Sequence, residues 1–353
     1  MLKKIKLYVS AIIICLVCNL SFSATIISPF NKKILNSDSI SNSYSFIAFG
    51  HWYGNPMNLH QLLPSRSVLS GIDNFNQHHP AFIMAMGDVY QKADSLTISN
   101  FQKLVLNKIT VPLFNAAGNH ELEKDRDFYE SHFGKTIYSF QIKNELYIVL
   151  DSEIANCELE GEQLNFLKNC LDSAVNKIDI QNIFIFSHKL IWITLEEKFV
   201  HVLNKLYKDY NCYDGTSFKN QVYPKLLETS IKKSIYWLSG DCGFSLFYHK
   251  VKDHHLTFLS CGIADVNEDA YLKIDIDEKK NVNIQAHSFN GEKLNLIADY
   301  NIDYWSNRVS APVKPANVLY KAKLIFKNSY FWYGMAFSLI LLFVGLLLKR
   351  ICL

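Results

Sequence analysis

Residues 111–121 read VPLFNAAGNHE, an apolar run of strand length that breaks at a glycine and then presents Asn119, His120 and Glu121 in succession. One such triplet is compatible with an ordinary turn. Working outward, however, the same arrangement recurs. SFIAF (45–49) ends at Gly50-His51, AFIMAM (81–86) at Gly87-Asp88, NIFIFS (182–187) at His188, and SIYWLS (234–239) at Gly240-Asp241. Loops at strand C-termini are where open α/β sheets place their sites. Here each of these ends carries a metal-competent or proton-handling side chain.

Further apolar runs fill the chain: IYSFQI (137–142), LYIVLD (146–151), FSLFYH (244–249), LTFLSCG (256–262) and YLKIDID (271–277). Several are apolar throughout, as expected of strands covered on both faces. Helical periodicity marks 97–108 and 161–177. Strands alternating with helices early and consecutive strands late predict mixed sheets packed between helices. Residues 190–233 contain a Tyr- and Lys-rich insertion placed to roof a site.

Charge excludes one class of function. The net charge is +3 and charged residues make up 20% of the 353, so no basic field favours nucleic acid. The ends predict a membrane. Residues 1–23 combine a basic start, a short apolar core and small residues at Ser21 and Ser23, as in a signal peptide, with an uncleaved anchor as the rival reading. Residues 330–348, YFWYGMAFSLILLFVGLLL, carry no charge and are long enough to cross a bilayer. Tyr330, Trp332 and Tyr333 form an aromatic belt, and Lys349-Arg350 stop the run, which places a cytoplasmic tail at 349–353. A sorting tail removed after export has the same layout. The domains expected are therefore a signal peptide (1–23), a loose polar lead-in (24–44), one catalytic-type domain (45–299), a juxtamembrane connector (300–329), the transmembrane helix and the tail. The body then lies periplasmic or extracellular, where some of Cys157, Cys170, Cys212, Cys242 and Cys261 should pair. Cys157 with Cys170, which flank one predicted helix, and Cys242 with Cys261 are the pairs the sequence offers.

The motifs GDVY (87–90), GNHE (118–121) and Ser187-His188, in that order, resemble the calcineurin-like metallophosphoesterases, which include the purple acid phosphatases. The resemblance covers roughly residues 45–265 and implies a two-sheet mixed β sandwich flanked by helices. It also implies one or two divalent or trivalent ions (Mn, Fe or Zn) held by Asp88, Asn119, His188 and Asp241, with His51 and Asp88 forming a thinner second set. His120 falls where the family places the acid that protonates a leaving oxygen. Tyr53, Tyr90 and Glu121 are candidates for supporting or substrate-facing positions.

Two positions depart from the family pattern. His51 stands where the family has aspartate, and Gly240-Asp241-Cys242-Gly243 replaces its final histidine motif. Charge and donor type look exchanged between the two strand ends. The expected activity is hydrolysis of a phosphate mono- or diester on a small-molecule, lipid or glycan substrate. A catalytically inactive binding or scaffold protein of the cell envelope is the alternative, and a single-metal hydrolase of another ester a third. Oligomeric state is not legible.

Overall fold

The structure is a computed structural model that describes residues 25–55, 62–122, 126–206, 212, 215–242, 246–310, 332–339 and 342. The predicted signal peptide, Gly243 and most of the predicted anchor lie outside these residues. The chain divides into two units, residues 1–306 and 307–353.

In the first unit every apolar run named above forms a strand. A hairpin of β1 (Thr25–Ile27) and β2 (Ile34–Asn36) comes first, followed by β3 (Tyr44–Phe49), β4 (Phe82–Ala85), β5 (Leu113–Asn115), β6 (Tyr138–Ile142) and β7 (Glu145–Val149). Then come β8 (Asn182–Ser187), β9 (Ser234–Ser239), β10 (Leu246–Lys250), β11 (Leu256–Cys261), β12 (Ala270–Ile276) and β13 (Val282–Ser288). One sheet runs β13-β12-β3-β4-β5 and the other β10-β11-β9-β8-β7-β6. In the first, β3, β4 and β5 are parallel, with β12 and β13 antiparallel at one side. In the second, β7, β8, β9 and β11 are parallel, with antiparallel β6 and β10 at the edges.

Aromatic residues join the sheets. Phe46 of β3 stacks on Phe82 of β4 with ring centroids 4.8 Å apart, and Phe184 of β8 meets Phe46 edge-on at 5.1 Å. Tyr147 of β7 packs edge-on against Phe82 at 5.2 Å. Each such pair contributes about 0.5–1.5 kcal/mol beyond the area it buries. Both faces of the central strands are covered, so β4, β8 and β11 are buried throughout and read as unbroken apolar runs. The helix Arg66–Gln77 covers the five-stranded sheet with Val68, Ile72 and Phe75; its first turn is capped by Ser65 Oγ, which accepts the Val68 N–H at 3.1 Å. On the other sheet, Gly161–Asn176 buries Leu164, Leu167 and Leu171.

The two sheets meet at the ends of β3, β9 and β11. Gly50 bridges to Gly262, its N–H donating to the Cys261 carbonyl at 2.8 Å. A Cβ on Gly50 would lie 2.5 Å from Gly240 Cα, so the glycines preceding His51 and Asp241 let the two strand ends touch.

Three expectations change. The lead-in is not loose: it forms the β1–β2 hairpin, with Ser28 Oγ donating to the Leu113 carbonyl of β5 and Phe30 stacked on Phe133. The disulfide joins Cys157 to Cys212, with Cα atoms 5.7 Å apart. Cys170 sits within the helix Gly161–Asn176, its thiol facing Ser139, while Cys242 and Cys261 form no disulfide. Among its described residues the insertion after β8 carries the α-helices Glu197–Leu206 and Tyr223–Ser230, and Cys212 lies between them in sequence.

The predicted connector contains the helix Ile302–Ser310, whose buried Trp305 donates its indole N–H to the Leu246 carbonyl at 2.9 Å. Of residues 330–348, those described are helical, and no helix among the described residues is long and apolar enough to cross a membrane.

Candidate metal centre

Parallel β3, β4 and β5 end on the same side as parallel β8 and β9, so the topology gathers the five polar strand ends. His51, Asp88 and His188 form the cluster at the centre; all are buried, with potential ligand atoms within 4.8 Å of one another. Asp88 Oδ2 lies 3.4 Å from His51 Nε2 and 3.3 Å from His188 Nε2. His51 and Asp88 both adopt left-handed backbone, with φ of 55° and 58°. Such conformations cost energy for a residue with a Cβ and persist where surrounding structure enforces them.

Glu121 supplies part of that enforcement. Its buried carboxylate accepts the N–H groups of Asp88 at 2.9 Å and Gly118 at 2.7 Å through Oε2, and that of Val89 through Oε1. The loops after β4 and β5 are thereby tied together. Burial, with the negative charge of Asp88, pushes the Glu121 carboxyl up to about 7. Of the supporting and substrate-facing positions the sequence offers Glu121, it takes the supporting one and acts on backbone.

His188 is fixed by its far nitrogen. Nδ1 donates to the Met86 carbonyl at 2.9 Å, which turns Nε2 inward, where it is buried without a hydrogen-bond partner among the described residues. Orienting a ring by its second nitrogen is how metal-binding histidines are held. Gly87, at φ 82°, makes room for the ring, since a Cβ there would lie 2.3 Å from His188 Nδ1. A nitrogen–oxygen–nitrogen donor set with this orientation fits Mn, Fe or Zn. His51 Nε2 must give up its proton to join it.

Electrostatics couples these groups. Burial alone would raise Asp88, but the charges of His188, His120 and His51 outweigh it and hold the carboxyl below its usual range. Burial likewise opposes the charged form of His188, yet Asp88 and Asp241 bring its imidazolium up to about 10. Asp241 contacts the cluster through His51, accepting from Nε2 at 3.1 Å on Oδ1. Against the cost of burial, the charge of His188, the His51 hydrogen bond and Lys189 draw Asp241 down to about 2.

His120 stands at the rim with 27% of its side chain exposed, its Nε2 3.9 Å from Asp88 Oδ2. Nδ1 donates to the Gln91 carbonyl at 2.6 Å, and Tyr53 OH lies 3.3 Å from Nε2. The ring is thus held with one nitrogen facing the cluster and open space. Asn119 opens the short helix Asn119–Leu122 and is exposed. Tyr90 is buried with its ring against Phe101, and burial raises its hydroxyl, so it supports the loop from inside. Trp52 stacks on Phe49 at 4.3 Å and belongs to the core. Asp94 caps the helix Ser95–Phe101 by accepting the Thr97 N–H at 2.7 Å, and Asp151 pairs with Arg126.

Sequence reasoning passed over Lys189 and Glu153. Lys189 Nζ lies 3.7 Å from Asp241 Oδ2 and 3.9 Å from Glu153 Oε2, with 9% of its side chain exposed. The signal available was a lone cation inside the apolar stretch IFIFSHKLIWI (183–193).

No family model and no curated protein matches the chain. Among solved structures it is similar to a purple acid phosphatase from yellow lupin (Lupinus luteus) seeds, at 10% identity and a TM-score of 0.48. That match covers 73% of this chain and 53% of the lupin protein, so the chain spans about half the length of that relative. A predicted phosphoesterase from Streptococcus pneumoniae is similar at 9% identity and a TM-score of 0.29, over 71% of this chain and 99% of the other.

Proposed function

We propose that the chain is a metal-dependent phosphoric ester hydrolase, anchored to a membrane through its C-terminal helix with its body outside the cytoplasm. The observation that carries the reading is the buried His51–Asp88–His188 cluster beside the half-open His120. A bound ion would supply Lewis acidity and a more acidic bound water. The chain's own groups do the remainder. Asp88, His51 and His188 present converging donor atoms, and Glu121 keeps the Asp88 loop in register. His120, already donating from Nδ1 to Gln91, acts as an acid only when Nε2 carries a second proton. Its exposure lets Nε2 reach the leaving oxygen of a phosphate mono- or diester, whether small-molecule, lipid or glycan. The Cys157–Cys212 disulfide supports an oxidising compartment.

The test is to purify the full chain in detergent, measure bound metal by elemental analysis, and assay p-nitrophenyl phosphate and its bis-ester with Mn, Fe or Zn. Metal-dependent hydrolysis that disappears in Asp88→Asn, together with the bound metal, is the expected result. Metal-free protein without hydrolysis would instead favour a binding or scaffold module, a reading that draws on the exposure of Asn119.

A further inference from the structure

Asp241 is flanked by a ring nitrogen and an ammonium. Oδ1 accepts from His51 Nε2 at 3.1 Å while that nitrogen carries a proton, and Oδ2 faces Lys189 Nζ at 3.7 Å whether or not an ion is bound. Lys189 is itself set between two carboxylates, with Glu153 Oε2 at 3.9 Å on its other side. Its backbone is pinned next to His188 at the end of β8. The Lys189 N–H donates to Ser152 Oγ at 3.0 Å, and its carbonyl accepts from Ser187 Oγ at 2.9 Å. A buried carboxylate is costly without a compensating charge, and here the compensating charge is covalently part of the chain.

The arrangement also limits how many ions fit. Among the described residues a single group of three ligands has its donor atoms mutually within reach, and Asp241 is not one of them. A divalent ion brought to Asp241 would meet a buried ammonium at contact distance, where the low dielectric makes like-charge repulsion strong. Asn119, which the family resemblance groups with Asp241, is exposed.

We propose that the Lys189 ammonium is a fixed cation of this centre, held at Asp241 in place of a second ion, so that the chain binds a single divalent ion on His51, Asp88 and His188. This rests on the metal-dependent reading above and specifies its stoichiometry. Lys189 then acts as a positioning residue that neutralises Asp241, and the Asp241 bond to His51 Nε2 belongs to the ion-free state.

The experiment loads the metal-stripped full chain in detergent with Mn²⁺, counts ions by elemental analysis and isothermal titration, and records the Mn²⁺ electron paramagnetic resonance spectrum. Wild type should take up a single ion with the spectrum of an isolated Mn²⁺. Lys189→Met, which keeps the stem and removes the charge, should take up a second ion over the Mn²⁺ range, extending to at least about tenfold saturating concentration, in which wild type takes up one. The second ion should bring the spectral signature of a coupled pair. Lys189→Arg should remain at one. Two ions in wild type, or one ion of unchanged affinity in a folded Lys189→Met, would overturn the proposal. No ion in wild type would overturn the metal-dependent reading itself. Should Lys189→Met fail to fold, Asp241→Asn decides the matter. Retention of the single ion is expected, and its loss would make Asp241 a ligand and refute the assignment.

Discussion

The carboxylate of Glu121 and the backbone N–H of Asp88 are 2.9 Å apart, and this bond joins the loops after β4 and β5. Because Oε2 also takes the Gly118 N–H at 2.7 Å and Oε1 that of Val89, three backbone donors share one buried side chain. Asp88 keeps its left-handed backbone inside this clamp. The arrangement explains why a glutamate follows the histidine in GNHE.

Glu121→Ala would strand those donors in a dry environment. At about 1–3 kcal/mol for each of the three unsatisfied groups, the variant should lose about 3 kcal/mol of stability or more. Urea denaturation measures this directly. A loss below about 1 kcal/mol would mean that water replaces the carboxylate and that the clamp is unimportant. Glu121→Gln should fall between the two, since its amide end offers donors where acceptors are needed.

The contrast between Glu121 and its neighbours shows what the sequence made legible. Strand ends were visible because the runs before them are apolar on both faces, as in Phe82–Ala85 and Asn182–Ser187, and a glycine or polar residue ends each cleanly. Hence His51, Asp88 and His188 are each legible at a strand end, although the family resemblance divides them between two ligand sets and adds Asn119 and Asp241, which the described cluster does not include. The β13 strand, Val282–Ser288, escaped notice because it lies at a sheet edge with alternate residues exposed, so its VNIQAHS reads as polar. The β1–β2 hairpin is held by tertiary contacts such as Phe30 on Phe133, which no local pattern encodes. Cys212 pairs with Cys157 across a sequence separation of 55 residues, a proximity created by the insertion's path. The partners of Asp241 and Glu121 are set by side-chain direction at loop tips, where sequence periodicity is silent.

His120 offers a separation of roles. Its ring donates to the Gln91 carbonyl from Nδ1 and approaches Tyr53 OH with Nε2, while touching Asp88 only at 3.9 Å. His120→Ala should therefore leave bound metal unchanged and lower kcat by about 10²–10⁴, the range of a missing general acid. Tyr53→Phe should cost less, within about tenfold, because it removes only one contact to the ring. Elemental analysis alongside steady-state kinetics on a phosphate ester makes the check. If metal is lost with His120, the residue is a ligand and the assignment of acid falls.

The Cys157–Cys212 disulfide closes a loop containing the helix Gly161–Asn176 and β8. Constraining a loop of this length in the unfolded chain is worth about 4 kcal/mol by the chain-entropy argument, with about 2–4 typical of measured cases. Paired Cys157→Ser and Cys212→Ser substitutions should lower the unfolding free energy by that amount, and dithiothreitol should lower the stability of wild type but not of the double variant. Equal sensitivity of both proteins to reductant would show that the bond is not formed in solution.

Asp269 gives the fold a pH dependence remote from the centre. It is fully buried, accepts from Ser67 Oγ at 2.6 Å and from the Ala264 N–H at 3.0 Å, and burial pushes its carboxyl up to about 6 in spite of these bonds. A carboxyl raised on folding binds its proton more tightly in the native state than in the unfolded one. Its contribution is therefore fully present below the unfolded value, near 3.8, and is lost as pH rises through about 6. Over that window the shift corresponds to about 3 kcal/mol. Asp88 and Asp241, held low in the native state, produce the opposite trend at acid pH, so a single curve mixes the two effects. Asp269→Asn isolates the buried group, because the amide accepts from Ala264 and donates toward Ser67 without titrating. Denaturation of both proteins between about pH 4 and 6.5 should show wild type losing about 2–3 kcal/mol relative to the variant as pH rises. Parallel curves would mean that Asp269 ionises in the native protein as it does in water, and that its burial carries no proton linkage.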